Sequence, residues 1–411
     1  MTDSPDMRQE VEDMPSFPLP RPVGCPFDPA DEHRAMARAK GLGKVRIWNG
    51  SRVWFVTSYE EHRRLLSDSR LSSDVHRPGF PHFSAASQDR QMADVAFHHM
   101  DDPDHARYRR MLMPSFTRRR MEEIRPAIQH MTDAQIDRMV VGPTPADLVE
   151  AYALPIPSMV ISELLGVPAP DQTMFQQLSR TLLSRSVPPE TSLVAQQELI
   201  DYLTRLIEKK TLDPANDLLT ELATVRVASN ELTARQAATS AFLLLTAGHE
   251  TTANTIGLAT LALLENPRQL DAFKAMTDAA GVAAAIDECL RYAPIFHLGR
   301  RRVAVDDIPG DGYVIHAGDG VVLSSELANR DAAIFEDPDT FDVSRNPRGH
   351  LAFGFGVHQC LGQPLARVEL QVTLSSLFRR LPDLHLSVPS DSLQFKVDGM
   401  AYGLLAMPVE W

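Results

Sequence analysis

The sequence predicts a mainly α fold with a minor β portion, built as one large domain. Three observations carry this. A Thr-x-x-Gln capping pattern at Thr233 and Gln236 opens a helix-periodic stretch that runs to Asn266, just before Pro267. Residues 118 to about 210 read as helix throughout, broken by Pro143, Pro145, Pro155, Pro157, Pro168, Pro170, Pro188 and Pro189. Strand signals are short and gather near 45–57, 300–325 and 384–409.

Composition permits such a core. The 411 residues are 44% hydrophobic and 23% charged, ordinary values for a globular chain. A net charge of −13 argues against nucleic acid or an anionic membrane as partner. Cys25, Cys289 and Cys360 form no Cys-x-x-Cys pair, so disulfides are not expected to organise the fold, and a cytoplasmic location fits. Met1 to Phe17 is polar and acidic, without an apolar signal core, so neither export nor a membrane anchor is expected. The apolar run Ala241 to Leu264 is interrupted by His249, Glu250, Thr251, Thr252 and Asn254, which marks a buried helix rather than a membrane span.

In chain order, residues 1–30 form a Pro-rich arm, with six prolines from Pro15 to Pro29, and the domain proper covers 31–411. Asp31 to Lys40 is helical. Alternation across Val45 to Thr57, around Asn49-Gly50, predicts a hairpin. Ser58 is expected to cap a helix from Tyr59 to Ser67. Residues 70–100 have little periodicity, and an unstructured stretch of that length is usually functional. The start Asp101-Asp102-Pro103-Asp104 then opens a helix that puts His105 and Arg109 on one face. Taken alone, with Arg110, Arg118, Arg119 and Arg120 nearby, that face is simply a solvated basic one. The long helix, roughly 32 residues, would extend about 48 Å. Its centre, Ala247-Gly248-His249-Glu250-Thr251-Thr252, places an acid and hydroxyls in apolar surroundings, a violation of pattern that tends to mark function. Residues 279–293 carry Glu288-x-x-Arg291, one turn apart. Short strands follow at Arg302 to Val305, Tyr313 to Ile315 and Val321 to Ser324.

The most informative stretch is Phe353-Gly354-Phe355-Gly356-Val357-His358-Gln359-Cys360-Leu361-Gly362, a Gly-rich loop leading into a helix. A cysteine at a helix N-terminus is favoured as thiolate by the helix dipole and free N–H groups. Gly356 and Gly362 leave room for close approach of the backbone to something flat. A soft metal ligand, a nucleophile and an inert core cysteine all remain open on these residues alone.

The spacing Phe-x-x-Gly-x-His-x-Cys-x-Gly resembles the haem-ligand loop of the cytochrome P450 family. Five other features stand in that family's order: His105-x-x-x-Arg109, the Ala247 to Thr252 segment, Glu288-x-x-Arg291, Arg302, and His350-Leu351-Ala352-Phe353-Gly354. The wording of the motifs is similar to that of soluble actinobacterial members. The resemblance implies haem b (iron protoporphyrin IX) with Cys360 thiolate as the metal ligand and the long central helix crossing the haem. It implies Phe353 and Gly362 against the haem, and His105, Arg109, Arg302 and His358 on its propionates. Ala247 and Gly248 would lie over the iron, with Glu250 and Thr251 as the acid–alcohol pair that supplies protons. For Thr251 the competing reading is a hydroxyl bonded back to the carbonyl one turn earlier. Glu288 and Arg291 would be structural, with Arg345 as the third member because Thr340 stands where many members carry Arg. Phe83, Leu183, Leu244, Ile295, Phe296, Val397 and Met400 are the candidate substrate-pocket residues.

The function implied is monooxygenation: hydroxylation or epoxidation of an apolar or amphipathic small molecule such as a steroid, macrolide, terpenoid or xenobiotic. Electrons would come from NAD(P)H through a ferredoxin reductase and a ferredoxin, since the chain has no Gly-x-Gly-x-x-Gly and no four-cysteine cluster. The enzyme would be a monomer using O₂. The alternatives are a peroxide-driven peroxygenase of the same fold, a non-catalytic haem ligand-binding protein, and a Cys–His hydrolase.

Overall fold

A computed structural model of the chain describes residues 14–22, 24–85, 88, 97–183, 188–397 and 401–411. The sequence predicts one large domain; the packing falls into two compact units. A β-rich unit comprises Met1–Ala106, Asp287–Cys360 and Val397–Tyr402, and a helical unit comprises Arg107–Ile286, Leu361–Lys396 and Gly403–Trp411.

The β-rich unit is built on a five-stranded sheet in the order Leu42–Arg46, Arg52–Val56, Gly320–Leu323, Arg300–Ala304, Leu71–Ser72. The expected hairpin is there, with Val45 opposite Val53. Strand periodicity sorts side chains to two faces. Val45, Val53, Phe55 and Val322 pack on one side with Phe17 and Leu327. Val56, Val321, Leu323 and Ala304 pack on the other with Leu65, Leu66 and the ring of Phe355. The same alternation puts Arg300 and Arg302 on the face of Ala304, and Arg301 and Val303 on the opposite one. The Pro-rich arm lies along this sheet: the Phe17 N–H donates to the Arg46 carbonyl at 2.8 Å, and the Phe17 ring is buried.

The helix Tyr59–Leu66 covers the Arg300 face, but Ser58 does not cap it by side chain. The carboxylate of Asp331 does so instead, accepting from the Tyr59 N–H at 2.9 Å. A cap supplied from 272 residues away is invisible to local sequence reading. The strand signal after Ile295 is also displaced slightly. The observed strands are Arg300–Ala304, Ile308–Gly310, Tyr313–Ile315 and Gly320–Leu323.

In the helical unit the long helix is Ala234–Glu265, opened by a capping box in which Thr233 and Gln236 satisfy each other's backbone N–H. Every residue from Thr252 to Leu263 is buried, as expected of a helix that is apolar on all sides. The helices Pro155–Leu165, Pro189–Leu212 and Gln363–Arg380 pack against it. The β part of this unit is smaller than predicted: Pro408–Glu410 pairs with His385–Leu386 and with Ala146–Asp147, a strand too short to show a period.

Candidate functional site

The start of the cysteine loop is shaped by two glycines. Gly354 (φ 73°) and Gly356 (φ 72°) both occupy the left-handed region that L side chains rarely adopt. A Cβ on Gly356 would stand 2.4 Å from the Leu66 carbonyl oxygen, and one on Gly354 would stand 2.6 Å from Arg300 Nε. The close approach that requires Gly356 is therefore to the chain's own helix, which corrects the expectation that it clears space for a flat ligand. The Cys360 N–H donates to the Phe353 carbonyl at 2.9 Å and closes the loop, leaving Cys360 exposed. Cys360 precedes by two residues the N-cap Gly362 of the helix Gln363–Arg380. The Phe353 ring lies 5.7 Å from that of His350.

Around this loop the β-rich unit gathers two buried guanidiniums, Arg300 and Arg302; Asp101 acts on Arg302 only through its charge, without an ion-pair contact among the described residues. Arg300 donates to Ser325 Oγ and, at 3.1 Å, to the Ala352 carbonyl. Arg302 donates to the Arg301 carbonyl at 2.7 Å. No carboxylate forms an ion pair with either among the described residues. Burial pushes both guanidiniums down to about 10 from the ordinary 12.5, a cost that a carboxylate in contact would offset. Arg300 also lies within electrostatic reach of Cys360. His62, with no solvent exposure, has no hydrogen-bond partner at either ring nitrogen among the described residues. Burial first, then Arg300 and Arg302, drives its pKa far down, so it is neutral.

His105 and His358, separated by most of the sequence, lie 3.9 Å apart between ring centroids, tilted by 31°. His358 Nε2 is hydrogen-bonded to Ser73 Oγ at 2.9 Å, and His105 Nδ1 lies 3.2 Å from Asp102 Oδ1. The unpaired guanidiniums and this imidazole pair, in one unit with an exposed thiol, fit a ligand that brings two carboxylates and a soft metal, as haem b does. Arg109 follows His105 by one turn of the helix Asp104–Leu112 and belongs to the helical unit.

On the long helix, Ala247 is exposed, and a Cβ on Gly248 would meet only Ile161 Cδ1, at 3.8 Å. Thr251 Oγ1 donates to the Ala247 carbonyl at 2.6 Å. The back-bonded geometry weighed for this residue is thus the observed one, and it leaves the hydroxyl oxygen with only acceptor capacity to spare. His249, inside the same motif, turns into the core: its Nε2 is 3.0 Å from the Leu154 carbonyl, and burial pushes its pKa down to about 4. It is a neutral anchor. Glu250 is partly exposed and has Lys396 Nζ at 3.7 Å from Oε1.

The Glu288–Arg291 pair is fully buried. Arg291 grips Glu288 with two hydrogen bonds of 2.7 and 2.8 Å, and its remaining N–H groups reach the carbonyls of Asn329, Pro338 and Thr340. Arg345 Nε lies 3.3 Å from Glu288 Oε1, so the third member of the network comes from this position and not from Thr340.

Phe83 is partly buried and packs against the sheet core beside Phe17, with the Arg301 guanidinium 4.3 Å above its ring. Ile295 and Leu244 are buried, Phe296 sits beneath Arg300 at 5.4 Å, and Val397 is 58% exposed. Met400 and the side chain of Leu183 lie outside the described residues. Two residues with evident roles went unpredicted. Arg300 was legible, because it stands two positions from Arg302 on a strand; Lys396 has no local signal.

The family model described as Cytochrome P450 matches residues 269–395. Cytochrome P450-SU2 of Streptomyces griseolus is 46% identical over 98% of this chain and 99% of its own. The vitamin D3 dihydroxylase of the same organism is 39% identical over 100% of both chains. The crystal structure of GfsF, a cytochrome P450 of Streptomyces halstedii, has a TM-score of 0.91 at 45% identity, covering 97% of this chain and 100% of that one. The chain belongs to the cytochrome P450 family. It is a monooxygenase of the actinobacterial type whose cofactor is cysteine-ligated haem b. Among the described residues, no helix is long and apolar enough to cross a membrane.

Proposed function

We propose that Cys360 is the thiolate ligand of the haem iron and that Arg302, Arg109, His105 and His358, joined by Arg300, hold its propionates. The observation that supports this is the pair of buried guanidiniums, Arg300 and Arg302, which form no ion pair with a carboxylate among the described residues and share a unit with the exposed Cys360. When bound, the haem supplies dioxygen activation, with the thiolate donating electron density that favours O–O cleavage. The chain's own work is binding, orientation and proton traffic. Phe353, with Gly362, frames the ligand loop. Ala247 and Gly248 keep one surface of the long helix small. Glu250 takes up solvent protons, and Thr251, its hydrogen committed to Ala247, accepts from a neighbouring water and holds it in line. Glu288, Arg291 and Arg345 fix the segment that leads to the cysteine loop.

The substrate is an apolar or amphipathic small molecule to be hydroxylated or epoxidised. The relative that acts on vitamin D3 supports a steroid-like or terpenoid compound. Electrons arrive from NAD(P)H through a reductase and an acidic ferredoxin. Arg110, Arg118 and Arg119 form an exposed basic run that suits such a partner, despite the net charge of −13. Reversing these three to Glu is expected to slow ferredoxin-to-haem electron transfer by roughly tenfold or more at low salt and to flatten its salt dependence. Stopped-flow reduction of the purified enzyme checks this. Unchanged rates and unchanged salt dependence would remove the docking surface.

A further inference from the structure

We propose that Lys396 positions Glu250 for proton delivery, as the fixed end of an ion-paired latch that the C-terminal hairpin lays on the long helix. The inference rests on the reading of Glu250 as the proton-carrying acid. All of the groups involved lie within the helical unit.

The latch begins with backbone. The Lys396 N–H donates to the Gly403 carbonyl at 2.7 Å, the Leu405 N–H donates to the Gln394 carbonyl at 2.9 Å, and Phe395 bridges Leu404 in antiparallel sense. This hairpin is pressed onto the helix: a Cβ on Gly403 would stand 2.3 Å from Asn254 Oδ1. A glycine is needed there for contact, and the contact fixes where Lys396 starts. Its side chain is 11% exposed and ends between two acceptors of the helix. Nζ donates to Asn254 Oδ1 at 3.0 Å and lies 3.7 Å from Glu250 Oε1. Glu250 and Asn254 are four apart, on one face, so a single ammonium spans both. Lysine suits this place because it offers three donors on one atom.

The two partners differ in what protonation does to them. Asn254 is neutral at every pH and buried, so it holds Lys396 permanently. Glu250 is held by charge. Uptake of a proton by its carboxylate cancels the attraction and frees that side chain, while the ammonium stays on Asn254. Arg180 and Lys396 both act by charge on the neighbouring His249, which burial keeps neutral. Lys396 thus fixes the resting position from which Glu250 moves, and it is a positioning residue rather than a catalytic one.

The test uses substrate-free holoenzyme with ferredoxin, its reductase and NADPH, comparing wild type, Lys396→Met, Lys396→Arg, Glu250→Gln and the double variant Glu250→Gln/Lys396→Met. Lys396→Gln replaces the Met variant if the latter does not fold. The readouts are the NADPH oxidation rate, its solvent deuterium isotope effect, and urea unfolding of each protein. Expected are a several-fold change of rate and isotope effect in Lys396→Met, restoration by Lys396→Arg, and no further change in the double variant beyond Glu250→Gln. The unfolding free energies of the two single variants should be non-additive. Additive unfolding energies, or kinetics unchanged by Lys396→Met while Glu250→Gln alters them, would overturn the latch and leave Glu250 as the acid. Kinetics unchanged by Glu250→Gln would overturn the reading of Glu250 itself, and the latch with it.

Discussion

Arg291→Ala is expected to cost about 3–5 kcal/mol of unfolding free energy, enough to prevent accumulation of holoprotein at physiological temperature. Arg291 is the largest fully buried side chain among the described residues. Its removal strands the Glu288 carboxylate, also unexposed, whose remaining partners are the Asp342 N–H at 3.0 Å and Arg345 at 3.3 Å. It also strands the carbonyls of Asn329 and Pro338. Leaving a buried charge without its counter-ion costs more than the pair contributes. For that reason the double variant Glu288→Ala/Arg291→Ala should lose less than the sum of the two single variants. Urea unfolding of the purified proteins measures both quantities. A loss below about 1 kcal/mol for Arg291→Ala, the range of an exposed pair, would show that the network is not what holds this segment.

Arg302→Gln is expected to accelerate haem loss by roughly 10- to 100-fold, the equivalent of about 1.5–3 kcal/mol for one charged hydrogen bond. The sign should reverse in haem-free protein. Burial holds the Arg302 guanidinium down near 10, and among the described residues only a carbonyl accepts from it, so the cation burdens the apoprotein. Removing it should leave the apoprotein as stable as before or more so, while the holoprotein weakens. Arg300→Gln should act in the same direction, and the two should not be additive, since they stand two residues apart on one strand face. Haem transfer to excess apomyoglobin gives the loss rates. Unchanged loss in both variants would mean that these arginines serve the sheet alone.

How far the sequence revealed this molecule depended on how local each cause was. The long helix was legible to its first residue, because Thr233 and Gln236 cap it within one turn and Pro267 stops it. The hairpin at Asn49-Gly50 was legible for the same reason. The cap of the helix at Tyr59 was not, because Asp331 supplies it from a distant segment. His105 and His358 could be named separately from motif spacing, but the contact of their rings is a tertiary fact. Thr251 shows the limit at a single residue. Its hydroxyl was read as a proton relay or a back-bonded helix hydroxyl, and the observed bond to Ala247 leaves it the acceptor's half of the first role. The packing of Phe83 against Phe17 was not legible, because an aromatic in a long irregular stretch carries no sign of what it packs on. Lys396 was missed altogether, since only the fold brings residue 396 to residue 250.

The central claim, thiolate ligation by Cys360, is tested most directly by the absorption spectrum of the reduced carbon-monoxide complex. The wild-type holoprotein should show the strongly red-shifted Soret band of a thiolate-bound haem, and Cys360→Ala should lose it even where some haem is retained. A red-shifted band that survives Cys360→Ala would contradict the assignment.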